Sequence, residues 1–138
     1  MKTSLQSASM GSMDQTKKHS ILIIEDDPLL SKMYETKFST DGLDVLKASD
    51  GEEGLKTALA NHPDILLLDV MMPRLSGIDM LAELRKDPWG AHVPVIILSN
   101  LSEQQEGEKA RSLGVKEYLV KANYTPAELV EKVKTYIQ

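Results

Sequence analysis

Apolar residues fall into five short runs along the chain, and amphipathic segments separate these runs. The runs are Ile21–Ile24, Leu43–Ala48, Ile65–Leu68, Val93–Leu98 and Tyr118–Val120. Most of them are continuous stretches of branched apolar residues, which is typical of strands buried on both faces. Strands that alternate with helices predict an α/β fold with a doubly wound parallel sheet and helices on both of its faces.

The segments between the runs carry helix start and stop signals. Asp27 and Pro28 predict an N-cap and a first helical position, and the first helix ends at Gly42. Ser49 and Glu52 predict a capping box for the second helix. Three further helices are predicted at about Ile78–Arg85, at Ser102–Leu113, and from Pro126 behind a Thr125–Glu128 capping box. The chain therefore reads as strand followed by helix, five times over.

Length and composition bound the function. The chain has 138 residues, a formal net charge of −5 and no cysteine. Thiol catalysis and thiolate metal sites are excluded, and a basic surface for nucleic acid is disfavoured. No apolar run approaches the roughly 18 residues of a membrane span. We predict a cytoplasmic protein that binds neither nucleic acid directly nor a membrane.

The first 19 residues differ from the rest, because they are polar and lack apolar periodicity. Met10–Met13 resembles a cloning scar in front of a second start residue. We predict that residues 1–19 form a disordered, partly expression-derived tail and that residues 20–138 form one domain.

Polar residues stand where the predicted strands end. Glu25 and Asp26 follow the first strand, Asp69 the third, Ser99 the fourth and Lys121 the fifth. The carboxyl ends of parallel strands meet at one edge of the sheet. Three acids without histidine or cysteine suit Mg²⁺, and a hydroxyl with an ammonium suits phosphoryl oxygens. Asp69 is the candidate nucleophile, since it ends the most apolar strand and could form an acyl phosphate.

Each signal alone has an ordinary structural explanation. Asp27 beside Pro28 is best explained as a helix cap. Lys121 alone would be a surface lysine, Ser99 a turn residue and Tyr118 a core residue. Their joint placement at successive strand ends is what favours a functional site.

With these residues in place, positions 20–138 resemble the receiver domain of two-component response regulators. The resemblance rests on Ile21–Pro28, on Leu66–Pro73 with Gly77, on Val95–Ser99 and on Tyr118–Lys121. It implies a flavodoxin-like sheet of order 2-1-3-4-5, similar to the single-domain chemotaxis response regulator. It also implies a signalling phosphoacceptor, not an enzyme acting on separate substrates, that assists its own phosphorylation and dephosphorylation.

The resemblance also implies site roles. Glu25, Asp26 and Asp69 would hold Mg²⁺ together with the main-chain carbonyl of Met71, with Asp26 as a direct ligand and Glu25 acting through water. A histidine kinase or a histidine phosphotransfer protein would phosphorylate Asp69.

Three more residues would read out the phosphoryl group. Lys121 would pair with it, Ser99 would hydrogen-bond it, and Tyr118 would turn inward as an aromatic switch. The family usually has proline after the lysine, where this chain has Ala122. The downstream partner is unknown, and a phosphorylation-dependent homodimer stays open.

Three other functions fit these residues less well. A phosphohydrolase of the haloacid dehalogenase type needs a second acid two residues after the nucleophile, where this chain has Met71, and a cap domain, for which it has no room. A flavodoxin-like FMN carrier would want a Ser/Thr/Gly-rich loop after the first strand, where acids stand instead. A degenerate receiver used only for binding is disfavoured by the intact acids and Lys121.

Overall fold

A computed structural model describes residues 18–70, 72, 74–100 and 103–137, with the backbone alone for 103–106. The strands are β1 (Ser20–Ile24), β2 (Asp44–Ala48), β3 (Ile65–Leu68), β4 (Val95–Ser99) and β5 (Glu117–Val120). The helices are α1 (Pro28–Thr40), α2 (Gly51–Asn61), α3 (Gly77–Leu84), α4 (Glu103–Ser112) and α5 (Pro126–Lys134), with a short 3₁₀ helix at Lys121–Asn123. Most of the predicted tail, residues 1–17, lies outside the described residues.

The five strands form one parallel sheet in the order β2-β1-β3-β4-β5. Strand β1 pairs on both sides, with Ile21 opposite Val45 on β2 and opposite Ile65 on β3. Strand order reverses at β1, so the crevice between the carboxyl ends of β1 and β3 is where such sheets bind ligands. The predicted fold class and strand order are confirmed.

Successive residues of the strands fill two separate cores, one on each face of the sheet. On the first face, Leu22, Ile24, Leu66, Leu68 and Ile97 pack with residues of α2, α3 and α4. On the second face, Ile21, Ile23, Leu67, Ile96 and Leu98 pack with residues of α1 and α5. Because neither face of the inner strands β1, β3 and β4 meets water, these strands are almost entirely apolar, which is the pattern seen in the sequence.

The predicted starts of the first and last helices are confirmed. Asp27 is the N-cap of α1, its Oδ1 accepting a hydrogen bond from the Leu29 N–H at 2.9 Å, and Pro28 is the first helical residue. Thr125 and Glu128 form the expected reciprocal capping box of α5. A cap of this kind contributes about 1 kcal/mol to helix stability.

The predicted capping box of the second helix is wrong by one residue. Asp50, not Ser49, is the N-cap, and its Oδ1 accepts from the Glu53 N–H at 2.8 Å. Glu53, not Glu52, reaches back, and it accepts from the Ser49 N–H at 2.8 Å. Aspartate caps a helix as well as serine does, so the prediction chose the wrong one of two adjacent residues that are both able to cap it.

Helix α3 is tied to the following loops by one arginine. Arg85 donates from Nε to the Leu113 carbonyl at 2.8 Å, and from Nη1 to the carbonyls of Gly90 and Val93 at 2.9 and 2.7 Å. These bonds join the end of α3 to the segment before β4 and to the segment after α4.

In the described part of the chain, no helix is long and apolar enough to cross a membrane.

Candidate functional site

Three carboxylates converge at the carboxyl edge of the sheet. Glu25 and Asp26 follow β1 and Asp69 follows β3, and one oxygen from each lies within 4.8 Å of the others. Two backbone hydrogen bonds continue the sheet past the strand ends, from the Glu25 N–H to the Ala48 carbonyl and from the Asp69 N–H to the Ile24 carbonyl, each 3.0 Å long. The strand pairing itself therefore brings the acids together.

Lys121 lies among these acids. Its Nζ is 2.7 Å from Glu25 Oε1 and 3.3 Å from Asp69 Oδ2, and the lysine side chain is only 9% exposed. The lysine reaches this position because β5 ends directly before it and the 3₁₀ helix begins at it. One ammonium faces three carboxylates, so the cluster keeps a negative excess.

The electrostatics of the pair follow from its burial. Burial raises the pKa of Glu25, and the hydrogen bonds from Lys121 and from the Asp27 N–H offset this only in part. Burial alone would lower the pKa of Lys121, but its hydrogen bond to Glu25 and the charge of Asp69 outweigh this and raise the pKa. The ammonium therefore stays charged, and additional positive charge would favour ionised acids.

The three acids after β1 differ in their surroundings. Glu25 is buried, and both of its carboxylate oxygens have partners. It pairs with Lys121, and its Oε2 accepts a hydrogen bond from the Asp27 N–H at 3.1 Å. Asp26 is exposed to solvent beside it. Asp27 is the helix cap that the sequence predicted, and it lies outside the carboxylate cluster.

The donor set fits a magnesium ion. All three groups offer hard carboxylate oxygens, the ligands that Mg²⁺ prefers. One oxygen of each acid lies within 4.8 Å of the others, so a single cation bound directly or through water would serve all three. Met71, the expected carbonyl ligand, lies outside the described residues, and that role stays a prediction.

The two predicted switch residues lie on neighbouring strands. Ser99 ends β4 and is fully buried. Tyr118 of β5 stands opposite Ile97 of β4. The Tyr118 hydroxyl is buried without a hydrogen-bond partner in the part of the chain that the structure describes. Leaving such a group unpaired costs about 1–3 kcal/mol, so pairing this hydroxyl in another arrangement would offset part of the cost of that arrangement.

Close backbone contact fixes the segment after Asp69. The Gly77 N–H donates to the Val70 carbonyl at 3.1 Å. A Cβ at Gly77 would lie 2.3 Å from the Asp69 carbonyl oxygen, a distance that side chains do not tolerate. Only glycine therefore lets α3 begin this close to the candidate nucleophile.

An ion pair that the sequence did not predict borders the same segment. Arg74 lies between β3 and α3 and donates to Asp50, at the start of α2, with Nη2–Oδ2 2.7 Å and Nε–Oδ2 3.0 Å. Arg74 has a φ of 67°, a left-handed conformation that costs a non-glycine residue about 1–2 kcal/mol. Nothing in the local sequence signals this contact, because the partners are 24 residues apart.

Solvent reaches the cluster through an adjoining cleft of about 390 Å³. The cleft is lined by Glu25, Asp26, Pro28, Ser31, Lys47, Ala48, Ser49 and Glu53. Tyr34 of α1 lines a narrow space below the cluster with Glu25 and Asp69, and burial raises the pKa of this tyrosine. The cluster is therefore open on one side and closed by core residues on the other.

One family of known proteins matches this chain over most of its length. The family model described as "Response regulator receiver domain" matches residues 21–134. The "Probable transcriptional regulator ycf27" of Porphyridium aerugineum is 36% identical over 121 residues, which cover 88% of this chain and 49% of that protein. The chain thus spans about half the length of the curated relatives it matches.

Solved structures share the fold. Chemotaxis protein CheY4 of Vibrio cholerae has a TM-score of 0.81 at 22% identity, covering 87% of this chain and 99% of that one. The receiver domain of sensor histidine kinase PA1611 from Pseudomonas aeruginosa PAO1 has a TM-score of 0.79 at 28% identity, covering 88% and 98%. The latter structure is described as having a magnesium ion coordinated in its active site cleft.

Proposed function

The chain belongs to the response regulator receiver domain family, and from this premise we propose that Asp69 is its phosphoacceptor and Mg²⁺ its cofactor. Receiver domains of two-component response regulators are signalling modules that are phosphorylated on an aspartate. The observation that carries the proposal is the geometry at the strand ends. Asp69 is paired with a buried lysine at 3.3 Å and lies within 4.8 Å of two further carboxylates.

Glu25, Asp26 and Asp69, with the carbonyl of Met71, would hold the metal. The exposed position of Asp26 supports it as a direct ligand, and the pairing of Glu25 with Lys121 supports an indirect role for Glu25. When bound, Mg²⁺ offsets negative charge on the carboxylates and on the phosphoryl oxygens.

The transfer step follows from the chemistry of the donor. A carboxylate oxygen of Asp69 attacks the phosphorus of a phosphohistidine on a histidine kinase or a histidine phosphotransfer protein. The O–P bond forms while the P–N bond breaks, and the imidazole nitrogen keeps the electron pair and takes a proton. Lys121 would pair with the transferred phosphoryl oxygens, and its contact with Asp69 at 3.3 Å supports this role.

Ser99 and Tyr118 would convert phosphorylation into a change of surface. Ser99 would hydrogen-bond the phosphoryl group from the end of β4, and Tyr118 would turn inward in response. The unpaired Tyr118 hydroxyl supports this role, because a second position could satisfy it. The face that changes would bind a downstream protein, and a phosphorylation-dependent homodimer is a further outcome to test.

The partners and the location follow from the family and the charge. The named relatives are transcriptional regulators, whose other half lies outside the match. Because the whole chain has a formal net charge of −5, it would act through protein contacts in the cytoplasm and not bind nucleic acid itself. It would assist its own phosphorylation and dephosphorylation without acting on a separate pool of substrate.

Phosphoramidate, which carries the P–N bond of a phosphohistidine, tests the transfer chemistry. With Mg²⁺ it should phosphorylate the protein, and neutral hydroxylamine should remove the label because an acyl phosphate is cleaved by amine nucleophiles. A label that resists hydroxylamine would place the phosphate on a hydroxyl such as Ser99 and overturn the assignment. Phosphoprotein gels before and after hydroxylamine distinguish the two results.

A further inference from the structure

We propose that the ion pair between Arg74 and Asp50 is a latch that positions the loop between β3 and α3 for metal binding and phosphoryl transfer at Asp69. The proposal rests on the proposed function. Neither latch residue belongs to the carboxylate cluster, so the role is one of positioning.

Asp50 divides its two oxygens between two tasks. Oδ1 accepts the Glu53 N–H at 2.8 Å and caps α2, while Oδ2 receives Nε and Nη2 of Arg74 at 3.0 and 2.7 Å. The Asp50 side chain is 8% exposed and that of Arg74 is 61% exposed. Asp50 is held in place by α2, so we expect the pair to fix the position of Arg74 relative to the helix.

The loop backbone depends on this contact. Arg74 adopts a left-handed φ of 67°, which only a surrounding structure can hold in a non-glycine residue. Next to it, the Leu75 carbonyl oxygen lies so close to Gly51 that a Cβ there would be 1.8 Å away. The latch and this backbone contact together hold Arg74 and Leu75 against the start of α2.

Short segments of chain connect both latch residues to the carboxylate cluster. At one end the loop leads back to Asp69, whose carbonyl is crowded by Gly77. At the other end, α2 follows β2, whose last residue Ala48 accepts the Glu25 N–H at 3.0 Å. The latch thus joins the supports of two of the cluster's carboxylates.

Two substitutions remove the latch while sparing its surroundings. Asp50→Asn keeps an equally good N-cap but removes the charge that holds Arg74. Arg74→Gly removes the side chain but accepts the left-handed φ at no steric cost. Lys86→Ala is the matched control, because it deletes an exposed ion pair with Glu83, 2.8 Å long, elsewhere on the surface.

The first readout is the Mg²⁺ concentration for half-maximal phosphorylation by acetyl phosphate. Each latch variant should need about 10-fold more Mg²⁺, the low end for loss of support around a metal site, with a smaller change in the maximal rate. The Arg74→Gly/Asp50→Asn double variant should match the single variants because both remove one contact. Arg74→Lys should recover part of the loss.

The second readout needs neither metal nor phosphoryl donor. Amide exchange at Gly77, whose N–H bonds the Val70 carbonyl, should accelerate in both latch variants and not in Lys86→Ala. Latch variants that keep wild-type exchange and a Mg²⁺ requirement within about 2-fold of wild type would overturn the latch, as would losses that multiply in the double variant. If wild type itself takes up no phosphate, the proposed function fails instead, and the exchange readout still judges the latch.

Discussion

Replacing Lys121 by Met is expected to destabilise the metal-free protein by about 3–5 kcal/mol, the usual cost of breaking a buried ion pair from one side. Glu25 and Asp69 would then face each other, buried, without the ammonium that contacts both. Part of the loss should return with Mg²⁺, which substitutes for the missing positive charge. Urea unfolding with and without Mg²⁺ measures both effects.

Lys132→Met is the matched control for this prediction. Lys132 also pairs with an acid, Glu117, at 3.5 Å, but its side chain is 38% exposed. Exposed pairs contribute under about 1 kcal/mol, so this substitution should be nearly silent. A loss of stability in Lys121→Met as small as that in Lys132→Met would show that the Lys121 pair contributes no more than an exposed ion pair.

Neutralising Glu25 and Asp26, the two acids after β1 that belong to the carboxylate cluster, should abolish the response to Mg²⁺. Wild type should gain stability with Mg²⁺ by the linkage relation, about 2.7 kcal/mol at a concentration 100 times the dissociation constant. In Glu25→Gln/Asp26→Asn, only Asp69 keeps its charge in the cluster, so the gain should vanish. Thermal melting across a Mg²⁺ titration measures the difference.

The control here is a second pair of neutralised acids. Glu83 and Glu131 are exposed and lie outside the cluster, so Glu83→Gln/Glu131→Gln should retain the full Mg²⁺ response. A metal gain that survives in the Glu25/Asp26 variant would place the ion elsewhere on this acidic protein.

Much of the fold was predictable because its signals are local. Runs of buried branched residues located the strands, and caps such as Asp27 and Thr125 located helix starts. The site was predictable for a topological reason: Glu25, Asp69 and Lys121 follow strands whose carboxyl ends a parallel sheet brings together.

What the sequence did not predict depends on contacts between distant segments. The Arg74–Asp50 pair and the bonds of Arg85 to the Gly90, Val93 and Leu113 carbonyls follow no short motif. Every residue has a backbone carbonyl, so the sequence does not show which carbonyls an arginine will bond.

The sequence did not predict the burial of individual polar side chains either. Glu25 and Asp26 are adjacent acids, yet one is 4% exposed and the other is open to solvent. Lys121, which follows β5 two strands beyond β3 in the sheet, pairs with Glu25 and with Asp69, and the structure gives no such pair for Asp26 among the described residues. Sequence alone grouped the two acids together, and the structure separates their surroundings.

The most direct test of Asp69 as phosphoacceptor is the intact mass of the protein after incubation with Mg²⁺ and acetyl phosphate. Wild type should gain about 80 Da, one phosphoryl group, and Asp69→Ala should gain nothing because its methyl group cannot form an acyl phosphate. Melting curves of the metal-free proteins confirm that both are folded. The same adduct on Asp69→Ala would contradict the assignment.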